Sequence, residues 1–333
     1  MILQSAARWP LGQYPVDVAF APDGGTAIVA GGEGGLLRLD LRGGAAPEHI
    51  GEHAGGVLAV AWQGGGALFA SSGQDGEVRL WDSRTLQARV IHAAAEWSES
   101  LAFSGNGKLL AVGNARQLHV FDSQGAELAM LGGHAGTLAA LAWRPKLNEV
   151  AALGNGGLRL HRIATPVVSR DYPWKGACLT ASWRPDGSIL ASGLQDGTVH
   201  FWNIAAGTQS EMKGYGAKVA HTAWTANGKY LATAADQNVV VWEFAGRGPE
   251  GSEPLQLESH TARITQLVAA PKGPYLATAA RDCRLLLWRP GFSASPVDAE
   301  LFDEELALLR FAPDGRLLLG VTRSGVAHAW RCG

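Results

Sequence analysis

The sequence predicts an all-β fold built from eight repeats of a short antiparallel sheet, and three observations carry that prediction. One pattern of about 40 residues recurs along nearly the whole chain. Glycine (44 residues) and proline (15) are spread throughout, which suits many tight turns better than a few long helices. Tryptophan occurs 12 times, and most copies fall at two fixed places in the pattern.

The period is clearest where VLAVAWQGGGALFASSGQDGEVRLWD, ending at Asp82, returns as LTASWRPDGSILASGLQDGTVHFWN, ending at Asn203, and as ITQLVAAPKGPYLATAARDCRLLLW, ending at Trp288. With the Trp of the third strand as a ruler, the equivalent positions are Leu39, Trp81, Phe121, His161, Trp202, Trp242, Trp288 and Trp330. The step after Trp242 is the long one, because GRGPEGSEP at 246–254 adds loop. Each unit reads strand, turn, strand, turn, strand, then a less regular fourth strand. An aromatic residue ends the first strand at Phe20, Trp62, Phe103, Trp143, Trp183, Trp224 and Phe311, with Ala269 the exception. PDG at 22–24, 185–187 and 313–315, and NG at 106–107 and 227–228, then supply hairpin turns. The second strand is rich in small residues, as in LASG at 190–193.

These features resemble the WD40 repeat family, and the resemblance spans all eight units. It implies an eight-bladed β-propeller of four-stranded antiparallel blades, one domain over 1–333 with units near 11–50, 51–92, 93–131, 132–171, 172–212, 213–257, 258–300 and 301–333 plus 2–9. In that family a His before the first strand, a Ser or Thr in the second, an Asp in the next turn and the Trp form a hydrogen-bonded tetrad. Two units match it fully: His53, Ser71, Asp75 and Trp81 in the second, and His260, Thr278, Asp282 and Trp288 in the seventh, with identical spacing in the last three members. The fifth keeps Ser192, Asp196 and Trp202 but has Trp174 at the His position, and the third, fourth and eighth have lost more. The last unit shows three strands, and the run Ile2–Trp9 resembles fourth strands such as Gln87–His92. It is expected to complete the last blade and close the ring.

Composition narrows the function classes. Apolar residues make up 47% and charged residues 17%, so the chain can bury a core throughout. Lys plus Arg numbers 28 against 30 for Asp plus Glu, without a basic block, which argues against nucleic-acid binding. No stretch has the apolar length of a membrane span and the start lacks a leader pattern, so a cytoplasmic, monomeric propeller is expected. Cys178, Cys283 and Cys332 are too few and too scattered for a disulfide framework or a Cys-based zinc site.

Other constellations have ordinary structural explanations. His49-Ile-Gly-Glu52-His53 matches a zinc-peptidase pattern, but that chemistry needs a helix, which Pro47 and Gly51 break. His119, His200 and His328 share a column two residues before the ruler, on separate blades too far apart to share an ion. The inner column Asp17, Ala59, Ser100, Ala140, Thr180, His221, Gln266 and Leu308 is expected to line a solvated channel. His221 with Asp17 or Gln266 there could hold a small ligand. No Ser-His-Asp arrangement, phosphate loop or calcium-like cluster is expected, so no catalytic, cofactor or metal residue is assigned.

The expected function is a noncatalytic scaffold that binds one or more proteins on the tetrad-side face; the rival reading is small-molecule, cofactor or hydrolytic function at the channel. Lys218, Arg263, Arg281 and Arg323, on units six to eight, form a basic arc suited to an acidic segment, with Tyr14 and Trp97 as aromatic anchors. Asp303, Glu304 and Glu305 lie near enough to neutralise part of that arc.

Overall fold

Short strands punctuated by glycine turns fold into eight antiparallel sheets and no helix among the described residues, which in this computed structural model are 2–246 and 248–333. Among the described residues no helix is long and apolar enough to cross a membrane. The architecture is an eight-bladed β-propeller, each blade a meander in which sequential strands pair. The chain packs as two compact units, Trp9–Cys178, and Met1–Arg8 with Leu179–Gly333.

The first of these units holds blades one to four. Their inner strands are Pro15–Phe20, Val57–Trp62, Ser98–Phe103 and Leu138–Trp143, and their outer strands are Glu48–Glu52, Ala88–Ala93, Glu127–Leu131 and Val168–Ala177. In the fourth blade the second and third strand positions form one run, Glu149–Arg162, that doubles back near Gly156 and Gly157, both at positive φ; the Ile163 amide returns to Asn148 O (2.9 Å). The second unit holds blades five to eight, with inner strands Ser182–Trp183, His221–Trp224, Ile264–Ala269 and Leu306–Phe311. The eighth blade takes its outer strand from the other end of the sequence, Leu3–Pro10, which pairs with Val326–Cys332. The Asp298 carboxylate fastens this strand by accepting the amides of Ile2 and Leu3, the latter at 2.8 Å.

Second strands are buried from end to end, as in Leu276–Ala280, because both faces are covered by other sheets. A strand covered twice cannot alternate polar with apolar, and small residues let the sheets approach. Apolar clusters accordingly join neighbours: blades six and seven share Val241, Leu267, Leu276 and Trp288, and blades one and two share Ile28, Leu36, Phe69 and Trp81. The innermost strands are cross-tied by polar groups. The Val60 amide donates to Asp17, Thr180 and Thr222 hydroxyls meet at 3.0 Å, and Gln266 donates to Ala307 O (2.8 Å).

Candidate functional site

In the second blade the Trp81 indole N–H donates to Ser71 Oγ (2.8 Å), the Ser71 hydroxyl meets His53 Nε2 (2.8 Å), and His53 Nδ1 meets the Asp75 carboxylate (2.9 Å). A neutral imidazole uses every group: the hydroxyl donates to Nε2 and Nδ1–H donates to Asp75. Burial holds the His53 pKa below the ordinary imidazole value even against the pull of Asp75. Burial acts against the Asp75 charge, yet the bonds from His53 and the Glu77 amide outweigh it and leave that carboxyl lowered. The seventh blade repeats the chain through Trp288, Thr278, His260 and Asp282 at 2.8, 2.8 and 3.0 Å. The His-to-hydroxyl separation is 18 residues in both.

This geometry corrects one expectation. Ser71, His53 and Asp75 do form a Ser-His-Asp arrangement in the hydrogen-bond order of a hydrolase triad. Ser71 is 0% exposed, however, and its oxygen already accepts the Trp81 N–H, so no carbonyl can reach it. The network is structural.

Its structural effect is to hold two turns together. From the turn after the second strand, Asp282 accepts the Thr261 amide of the turn before the inner strand (2.9 Å) and the Arg284 amide at the start of the third strand (3.1 Å). Between them the Arg281 amide donates to Arg263 O (3.0 Å). The same backbone link joins Gly32 to Tyr14, Gln74 to Gly56 and Arg323 to Glu305. Thus the turn before the inner strand and the turn after the second strand are bonded to each other in four blades, and the seventh tetrad fixes the turns that carry Arg263 and Arg281.

Lys218, Arg263, Arg281 and Arg323 are all exposed. Glu305 lies between two of them, its carboxylate 2.9 Å from Arg323 Nη1 and 3.7 Å from Arg281 Nε. Glu304 accepts the Ser324 amide (2.9 Å) and the Ser324 hydroxyl. The Cys283 thiol is pushed up by burial first and then by Glu305, Asp282, Glu304 and Asp303, so acidic groups contribute strongly to the field here. The arc is a mixed surface whose guanidiniums already hold a carboxylate. In the other unit Tyr14 and Trp97 are 52% and 48% exposed, and Trp97 borders a cavity of about 300 Å³ with Glu96, Glu99 and Thr137.

The remaining candidates disperse. His49 is exposed on the strand Glu48–Glu52 while His53 is committed to the tetrad. His119 bonds Glu127 (2.7 Å), His200 meets the Trp202 ring edge-on, and His328 stacks on Trp330. Among the described residues no group of three or more ligating side chains could hold a metal ion. His221 is depressed to about 4 by burial first, then by Arg310 and Arg263.

Two substitutes for the tetrad escaped the sequence reading. In the sixth blade Tyr215 stands 18 residues before Thr233; its hydroxyl meets Thr233 Oγ1 (2.7 Å) and accepts the Trp242 N–H (2.8 Å). The preserved 18-residue step was the available signal. In the fourth blade Ala152 and His161 stand where the hydroxyl and Trp would be, and His134 Nε2 lies 3.2 Å from His161 Nε2. Arg116 O accepts from His134 Nδ1 (3.0 Å) and Ser169 bonds His161 Nδ1 (2.7 Å), which again suits neutral rings. Burial above all lowers both pKa values, that of His161 to about 4. In the fifth blade Ser192 bonds only Gly193 O (3.2 Å), and the buried Trp202 N–H has no partner among the described residues.

The comparisons agree with this geometry. The WD40 pattern, described as WD domain, G-beta repeat, matches residues 47–82, 173–203, 208–243 and 251–289. Similar proteins include the B-type cell cycle switch protein ccs52A of Medicago truncatula, 25% identical over 249 residues covering 70% of this chain and 50% of that protein. The WD repeat-containing protein slp1 of Schizosaccharomyces pombe is 25% identical over 245 residues, 70% and 49% of the two chains. Telomerase protein component 1 of Mus musculus is 24% identical over 344 residues, 84% of this chain but 13% of that one. The chain therefore spans half or less of the length of these relatives. Repeat matches in four blades, two full tetrads and an eight-bladed β-propeller lead to one conclusion: the chain carries WD40 repeats.

Proposed function

We propose that this chain is a noncatalytic protein-interaction scaffold that binds a partner through the tetrad-side turns of blades six to eight. The observation that carries the finer reading is the position of Glu305, a carboxylate held by Arg323 and lying beside Arg281. A surface that binds its own carboxylate offers the same guanidinium geometry to an acidic partner segment, which gains two charge-assisted bonds by displacing Glu305. Lys218 and Arg263, which make no ion pair among the described residues, extend the arc. Relatives named as cell cycle switch proteins are consistent with a regulatory role exerted by binding. Tyr14 and Trp97 are further exposed contacts of the type that anchors interfaces. The setting proposed for this activity is the cytoplasm, and the propeller is proposed to act as a monomer.

The test is affinity capture from the native cell's lysate with wild type and with Lys218→Glu/Arg263→Glu/Arg281→Glu, after circular dichroism has verified both folds. A specific partner held by wild type and lost by the variant supports the reading. Equal recovery by both assigns binding to another surface.

A further inference from the structure

We propose that the sixth blade carries a second, lateral binding site that accepts an arginine side chain of a partner peptide, in the cavity framed by Trp242, Phe201, Met212, Pro249, Glu211 and Glu250. The site is separate from the tetrad-side arc and opposite to it in charge preference, so it stands or falls independently of that reading.

The cavity exists because the repeat is interrupted here. In the second and fifth blades the ruler residue is paired with the outer strand, Trp81 with Ala88 and Trp202 with Gln209. In the sixth, the outer strand Leu255–Leu257 pairs only with Val239–Val241 and stops short of Trp242. Pro249, Glu250, Gly251 and Ser252, from the loop that lengthens this repeat, line the space beside it. Trp242 is half-buried, whereas Trp81, Trp202, Trp288 and Trp330 are at most 3% exposed. The uncovered ring faces a space of about 440 Å³, within the usual size of a ligand pocket.

The walls are ordered. Trp242 N–H is tied to Tyr215 OH (2.8 Å), which fixes the plane of the indole. Phe201 and Met212 are buried in the wall beneath it, and Phe201 is held edge-on by Phe244. The loop closes on itself through the Ser252 amide and hydroxyl, both donating to Pro249 O at 3.1 and 2.7 Å. It is then moored to the fifth blade by Ser210, whose hydroxyl donates to Glu250 (3.0 Å).

The chemistry of this lining selects one kind of occupant. A fixed indole face beside a carboxylate suits a planar guanidinium, which stacks on the ring while its N–H fork bonds the acid. Glu250 keeps one oxygen for such a bond, since Ser210 engages the other. Glu211 adds a second acid, whose present partner Lys213 is largely exposed and easily displaced. The aliphatic stem of an arginine matches the Phe201 and Met212 wall.

Fluorine NMR of the full chain labelled with 5-fluorotryptophan tests the site, with the Trp242 resonance assigned by its loss in Trp242→Phe. The probe is N-acetyl-leucyl-arginine amide, and its neutral isostere is N-acetyl-leucyl-citrulline amide. The site predicts a saturable shift of the Trp242 resonance with the arginine probe. It also predicts affinity at least tenfold weaker for the citrulline probe and for Glu250→Gln, whose exposed side chain can be changed without disturbing the core. No saturable shift of Trp242, or an equal response to both probes, overturns the assignment.

Discussion

The second and fourth blades begin from the same position, a histidine in the turn before the inner strand, and satisfy it in opposite ways. His53 finds a serine hydroxyl behind it and an aspartate in front, and the indole of Trp81 completes the chain. His134 finds alanine where the serine would be, and its ring nitrogen is met by a second imidazole, His161, standing in the place of the tryptophan. Both solutions leave no imidazole nitrogen unpaired, which is what a low-dielectric interior demands. They differ in charge. The second blade couples its histidine to an ionised carboxylate, whereas the fourth couples two bases that cannot both be protonated. Satisfaction of the turn histidine is therefore what these two blades share, and the identity of its partners follows from it.

The largest expected effect breaks the second blade. His53→Ala strands a fully buried hydroxyl and part of a carboxylate and opens a hole, a loss of about 4 kcal/mol by denaturant unfolding. A loss below about 1 kcal/mol would remove the network from any account of stability.

The fourth blade should be acid-sensitive, as should the sixth, where the His221 pKa is likewise held at about 4. The His161 pKa is about 4 when folded against 6.5 for the free side chain, so between those values the unfolded chain binds more protons. Stability is present above about 6.5 and falls as pH drops towards 4, by about 1.4 kcal/mol per unit for this group. His161→Gln should flatten that slope in a pH series of denaturation midpoints; an unchanged slope assigns the acid sensitivity elsewhere. A smaller effect is expected from Tyr215→Phe, which leaves the Trp242 N–H without its acceptor and costs about 1.5 kcal/mol in the same assay. Arg323→Ala should change stability by less than about 0.5 kcal/mol, because its pair with Glu305 is exposed, while weakening partner capture.

How much of this was legible in the sequence follows from how local each signal is. The repeat, its turns and the swap of Leu3–Pro10 into the last blade rest on period and pattern, which any strand in such a sheet must obey. The two full tetrads were legible because all four residue types stood at fixed offsets. The Tyr215 and His134 substitutes were not, because they keep the hydrogen bonds while changing the residues, and a search by residue type passes over them. The triad-like order of Ser71, His53 and Asp75 was missed for the converse reason: spacing shows which residues meet, but burial decides whether they can react. Glu305 was placed near the arc, yet its pairing with Arg323 and its approach to Arg281 depend on side-chain geometry that no spacing states.

The most direct test of the account uses the captured partner and two variants of opposite sign. If the arc recognises an acidic segment in competition with Glu305, Arg281→Glu should weaken binding at least tenfold, and Glu305→Gln should strengthen it several-fold, with both effects shrinking as salt is raised. Weaker binding in Glu305→Gln, or indifference to both changes, would contradict it.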